Sequence, residues 1–234
     1  MPTQITINNI TGASPFNIYI CDNPITICIY EDTITSFPYS FNVPSIISEQ
    51  SSVSLKVIDN NGCISYQTPS EIPPIFYTIG QSALGGTIAY ILEPGDLGYD
   101  ENVQHGLVAT VADIATDVTW GCVGTVITGA DGTSYGTGQQ NTIDIMNDCS
   151  DSGIAARLCG ELNEGGYNDW YLPSKDELSK LYINRVAIGG FVERFYWSST
   201  ESTNTYAYTV NFYDGTSMGN NKLVEDPVRG VRSF

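Results

Sequence analysis

The chain has 234 residues, enough for one large domain or two small ones, and 41% of them are hydrophobic, so a core can be buried and bulk disorder is excluded. Twenty-six acidic residues against nine Lys and Arg give a net charge of −17, which excludes a nucleic-acid backbone as partner and disfavours anionic membranes and sulfated polymers. High Gly (23) and Tyr (15) fit a β- and loop-rich protein rather than a helical bundle.

Met1-Pro2-Thr3-Gln4 leads straight into a strand-like stretch, with no charged n-region, apolar h-region or cleavage site; with this start, the usual secretory route is not expected. No run of about 18 apolar residues is present, so no membrane insertion is expected. From Thr3 to Thr68 the pattern alternates with period two in short runs: Gln4–Ile7, Phe16–Ile20, Ile25–Tyr30, Tyr39–Val43 and Val53–Ile58. Gly12, Pro15, Asp22-Asn23-Pro24 and Asn60-Asn61-Gly62 supply turns. Strands at this spacing predict a small all-β immunoglobulin-like sandwich over 1–68. Pro69, Pro73 and Pro74 stiffen the chain and mark a linker at 69–76.

A second domain is predicted over 77–234. Strands are expected at Thr87–Leu92 and Gly106–Thr110, then helices between Gln139 and Leu162 with Ile143, Met146, Ile154, Ala155, Leu158 and Leu162 facing inward. In Trp170-Tyr171-Leu172-Pro173-Ser174, the first residues read as core and helix entry. Ser174 stands three residues before Glu177, a capping box that starts a helix. Strands resume at Phe195–Thr200, around the buried Trp197, and at Tyr206–Phe212, with a final one over 227–234. A Gly- and Asn-rich loop is expected from Asp214 to Asn221.

Six cysteines, at 21, 28, 63, 122, 149 and 159, form no CxxC pair, and His105 is the only histidine, so a zinc site is not expected. Disulfides within either half stay open, with buried free thiols as the default. Arg229 and Arg232, on the terminal strand, read as structural ion-pair residues with Glu177 or Asp169 as partners. Asp96, Asp100 and Glu101 form a candidate calcium site, since clustered carboxylates suit a hard cation; no other cofactor is indicated. Asn204, Tyr206, Tyr213, Asp214, Asn220, Asn221 and Lys222 are candidate ligand contacts, because Tyr faces stack on sugar rings and Asn and Asp bond hydroxyls. One His, no nucleophile elbow and no metal cluster leave catalysis without a constellation, so an enzyme is not expected.

Several segments in the right order carry a resemblance. They are Trp120-Gly121-Cys122, Gly129-Ala130-Asp131-Gly132-Thr133, Gly136–Thr142, Gly166–Ser174, Tyr196–Glu201 and Val228-Arg229-Gly230-Val231-Arg232. Together, over about 76–234, they resemble the C-terminal domain of the Legionella collagen-like protein. The resemblance implies an α+β C-type-lectin-like fold, with termini meeting in one sheet, two flanking helices and long loops at one end. It also implies adhesion or carbohydrate binding. Formylglycine-generating relatives of that fold work through paired late cysteines, and here none follows Cys159. Glu93-Pro94-Gly95 and Asn168-Asp169 depart from the calcium motifs of sugar-binding lectins in residue type and order.

Gly12–Phe16 and Val57–Cys63 resemble immunoglobulin-like repeats of bacterial surface and phage structural proteins. The combined expectation is a non-enzymatic phage virion surface protein, a tail, fibre or decoration component. Its expected partners are a glycan or host surface receptor, other virion proteins and further copies of itself. The alternatives are a purely structural decoration protein and a fragment of a bacterial cell-surface adhesin.

Overall fold

The computed structural model describes residues 4–7, 10, 14–21, 28–36, 39–42, 54–67, 76–101 and 103–234. The linker expected at 69–76, but for Phe76, and the turn at 22–24 lie outside these residues. The structure is mostly β with few helices and divides into two compact units, Met1–Phe76 and Tyr77–Phe234.

In the first unit, β1 (Gln4–Ile7) pairs with β4 (Tyr39–Asn42). β2 (Phe16–Cys21), β3 (Cys28–Ile34), β5 (Ser54–Ile58) and β6 (Ile64–Gln67) form an antiparallel sheet of order β3-β2-β5-β6. Alternation sorts the faces. Phe16, Ile18 and Ile20 of β2 meet Leu55 and Val57 of β5 in the core, joined by Ile7 of β1, while Asn17, Tyr19, Lys56 and Ile58 turn outward. A disulfide joins Cys21 to Cys28 across the β2–β3 pair, so these two thiols are not free. Too short to show a period, β6 went unforeseen in the sequence.

In the second unit, β7 (Ser82–Ala83), β8 (Gly86–Ile91), β9 (Gly106–Ala109) and β15 (Val231–Ser233) form a sheet of order β15-β9-β8-β7, uniting the unit's first and last strands. β11 (Phe195–Glu201), β12 (Tyr206–Asn211) and β13 (Ser217–Asn221) form another antiparallel sheet. β10 (Ala115–Val118) pairs with β14 (Asp226–Val228). Two expectations change here. The Asp214–Asn221 loop is shortened, because Ser217–Asn221 is a strand. The last strand splits at Arg229-Gly230 into β14 and β15, which serve different sheets. Gly230 is closely packed: an added Cβ would lie 2.9 Å from Ile114 Cδ1 and displace that side chain.

The helices are α1 (Gly138–Asp148), α2 (Ala155–Gly160), α3 (Lys175–Ile183) and α4 (Arg185–Ile188). On α1 the inward residues are Asn141, Thr142 and Ile145, and Ile143 is 46% exposed, contrary to the apolar count. The polar pair can go inside because it is bonded there: Asn141 donates to the carbonyl of Gly132, and Thr142 to that of Gly138. Ser174 caps α3, accepting from the Glu177 amide, while Glu177 accepts from the Ser174 amide at 2.7 Å. Glu177 is fully buried and also accepts from the Gly136 amide and the Tyr171 hydroxyl. Burial pushes its carboxyl up against the pull of those three donors.

Trp120, Trp170 and Trp197 are buried, and each indole N–H donates to a carbonyl, that of Ser198, Glu164 and Val118 respectively. Leu172 and Pro173 are buried beside them. Among the described residues, no helix is long and apolar enough to cross a membrane.

Candidate functional site

At one end of the second unit three loops meet: 121–126, 202–205 and 221–225. Backbone bonds stitch them, Gly124 N to Asn204 O at 2.7 Å, Lys222 N to Thr205 O at 3.0 Å and Trp120 N to Lys222 O at 3.1 Å. Beneath them lies Lys222, expected as a surface ligand contact and instead fully buried. Its ammonium pairs with Glu201, donates to the Thr125 carbonyl at 3.1 Å and stands 4.3 Å from the Trp120 ring centroid. Glu201 in turn accepts from the Ile127 amide. A buried ammonium needs a carboxylate and further polar contacts to offset lost hydration, and here Glu201, the Thr125 carbonyl and the Trp120 ring supply them. Lys222 is therefore a clamp, not a contact.

A covalent tie completes the frame. Cys122 is disulfide-bonded to Cys149 at the end of α1, and its amide donates to the Asp151 carboxylate at 3.0 Å. The default of buried free thiols thus fails for both residues; only Cys63, exposed, and Cys159, buried, are free. Cys122, Cys149 and Asp151 bring ligand atoms close enough for a metal, but the sulfurs are bonded to each other and offer no thiolate.

The clamped end presents Val126 (64% exposed), Leu223 (64%) and Tyr206 (45%), together with Asn204, Val123 and Val224. Aliphatic and Tyr surface beside side-chain amide and backbone groups is suited to a ligand with alternating apolar and hydroxyl faces.

The remaining candidates separate from this end. Tyr213, 68% exposed, and Asp214 lie at the opposite end of the β12–β13 hairpin, with the length of β12, roughly 17 Å, between. Asp214 is spent locally, accepting from the amide and hydroxyl of Thr216, which hold its carboxyl below the usual range. Asn220 donates to Asp226 at 2.8 Å, and Asn221 accepts from the Leu223 amide, so both shape the turn into β14. Burial pushes the Asp226 carboxyl up, offset in part by Asn220 and Arg194.

Among the described residues, the carboxylates of Asp96, Asp100 and Glu101 do not come together as a close three-ligand group. Asp96 is already engaged. It accepts from the Tyr90 hydroxyl and the Glu93 amide and lies 3.8 Å from the Lys180 ammonium. Burial raises its carboxyl, but these partners outweigh it and leave the group below its ordinary value.

The two terminal arginines are structural. Arg229, fully buried, pairs with Asp113 at 2.8 Å rather than with Glu177. It also donates to the carbonyls of Thr110 and Gly190 and lies over the Phe191 ring. Glu177 is occupied by its own helix start, which is why it is not the partner. Arg232 holds Asp169 through two bonds of 2.7 and 3.0 Å and stacks on Tyr167.

A β-rich module whose loop end is fixed from below by a buried ion pair and a disulfide is thus on view. The chain belongs to the Lcl C-terminal domain family, whose pattern its residues 109–232, just over half the chain, match. This bears out the family resemblance read from the sequence over that span. No curated protein matches. Among solved structures, the chain is similar to a fimbrial protein from Bacteroides ovatus ATCC 8483, at 12% identity and a TM-score of 0.48, with 94% of this chain and 71% of that chain covered.

Proposed function

We propose that this is a non-enzymatic attachment protein displayed on a surface, and that the clamped loop end of the second unit binds glycans of a host or its environment. The second unit is read as C-type-lectin-like and the first as an immunoglobulin-like spacer. The observation that carries the reading is the fully buried Lys222. Burying an ammonium costs several kcal/mol unless it is paired, and here the pair fixes three loops that carry exposed Tyr206, Asn204 and Leu223. A rigid scaffold under exposed loops is the usual arrangement of a recognition surface. Family membership adds the association with adhesion.

Placement on a phage virion, among other virion proteins and as an oligomer, is the first location proposed. The second is a bacterial cell surface. Two disulfides support a location outside the reducing cytoplasm in either case.

The test is a glycan array probed with the full chain, in calcium and in chelator. Binding is expected in both buffers, and lost on Asn204→Ala with Tyr206→Ala. A blank array from folded protein would move the function to a structural decoration role. Binding abolished by chelator would revive a metal site. Particle fractions and intact cells stained with one antibody separate virion from cell-surface display.

A further inference from the structure

The outward face of the first unit's sheet carries a row of side chains that runs across all four strands. Tyr19 of β2 is paired with Tyr30 of β3 on one side and with Lys56 of β5 on the other, and Lys56 is paired with Tyr66 of β6. Directly paired residues point to the same face with Cβ atoms about 5 Å apart, so Tyr30, Tyr19, Lys56 and Tyr66 line up over three inter-strand steps, about 14 Å. A second row runs beside it in the same way: Thr33, Asn17, Ile58 and Ile64. The core side chains Ile18, Ile20, Leu55 and Val57 occupy the opposite face.

The row is ordered, open at its two ends and half-buried at Tyr19 and Lys56. Tyr30 is 52% exposed, Tyr66 54% and Ile64 55%. Tyr30 sits edge-on to Tyr19, with ring centroids 5.4 Å apart. The Tyr30 hydroxyl bonds the Thr33 hydroxyl at 2.7 Å, which donates to Asn17 Oδ1 at 2.5 Å, so a relay fixes that ring. Lys56 holds its ammonium 5.3 Å from the Tyr19 centroid, and among the described residues it has no carboxylate partner. It is also the sole Lys or Arg before Arg157. In a chain with charge −17, the one cation of this unit thus stands in the middle of an aromatic row on an open sheet face.

We propose that this face is a second binding site, for a short glycan carrying a single acidic sugar. The apolar faces of pyranose rings stack on tyrosine, and Lys56 supplies a charge-assisted bond to one carboxylate. A neutral sugar leaves Lys56 unused. A long polyanion is refused, because its further charges would meet a chain of net charge −17.

The site is separate from the loop end of the second unit, and the test separates them. Saturation-transfer-difference NMR on the full chain, with methyl β-glucuronide and methyl β-glucoside as probes, should give the stronger response for the glucuronide. Lys56→Gln should weaken the glucuronide about fivefold, the factor that an exposed ion pair worth about 1 kcal/mol supplies, and leave the glucoside unchanged. Tyr66→Ala should weaken both, and Tyr206→Ala should leave in place the excess of the glucuronide response over the glucoside response. Lys56 and Tyr66 lie outside the core, so both variants should keep the wild-type circular dichroism. No response to either sugar, a glucuronide response indifferent to Lys56→Gln, or one lost on Tyr206→Ala would each overturn the proposal. So would a wild-type dimer in sedimentation that Tyr66→Ala dissociates without any sugar response, since the face would then belong to a protein partner.

Discussion

The two units treat positive charge in opposite ways. The second, Tyr77–Phe234, holds eight of the nine Lys and Arg and puts three of them inside: Lys222 and Arg229 are fully buried and Arg232 is 8% exposed. Each is met by a carboxylate, Glu201, Asp113 and Asp169 in turn. The first unit has only Lys56 and leaves it on an outer face beside tyrosine. The contrast is one of placement: inside the second unit cations join segments far apart in sequence, and on the first Lys56 stays on the outer face of the sheet.

The largest effect should come from breaking a buried pair. Lys222→Met leaves Glu201 buried without its counter-ion and should lower stability by about 3–5 kcal/mol, read by urea denaturation. Loops 121–126, 202–205 and 221–225 should then exchange amide hydrogens faster than the rest of the unit. A loss below about 0.5 kcal/mol would mean that the pair contributes nothing net.

The disulfides sharpen the contrast further. Cys122 and Cys149 are 27 residues apart and Cys21 and Cys28 only 7. Loop-closure entropy assigns about 3.5 kcal/mol to the first and about 2.4 to the second. Replacing each pair by alanine should reproduce that order in chemical denaturation, and an inverted order would show that native-state contacts outweigh chain entropy.

A smaller effect belongs to Asp169. The hydrogen bonds from Arg232 depress its carboxyl, against the opposing effect of burial, so its stabilisation is present above the unfolded value near 4 and is lost as pH falls through the lower folded value. Asp169→Asn should cost stability at pH 7 and remove this residue's share of the acid slope, measured as denaturation midpoint against pH. An unchanged slope would remove the pair from the acid response. Smallest of all, Lys56→Gln should change stability by no more than about 0.5 kcal/mol, as for a half-buried side chain on the outer face that joins no buried ion pair.

Local features were readable in the sequence. The Ser174–Glu177 capping box needs only a spacing of three, and β2 and β5 announce themselves by alternation. What needed the fold was long-range pairing. Lys222 looked like a surface residue because lysine is seldom fully buried, and its partner Glu201 lies 21 residues away at the end of β11. Arg229 meets Asp113 across 116 residues. Seven candidate contacts looked like one cluster, yet an extended β12 sends Tyr213 and Tyr206 to opposite ends. The tyrosine row was invisible because it depends on the register of four strands, one of them only four residues long.

The central claim is that the clamped loop end is where ligand binds. Hydrogen exchange on the full chain, with and without the strongest glycan from the array, tests it most directly. Protection confined in the second unit to 121–126, 202–206 and 221–225, with residues 212–216 at the far end of the hairpin unchanged, is the predicted result. Protection at 212–216 with none at the clamped loops would contradict the account.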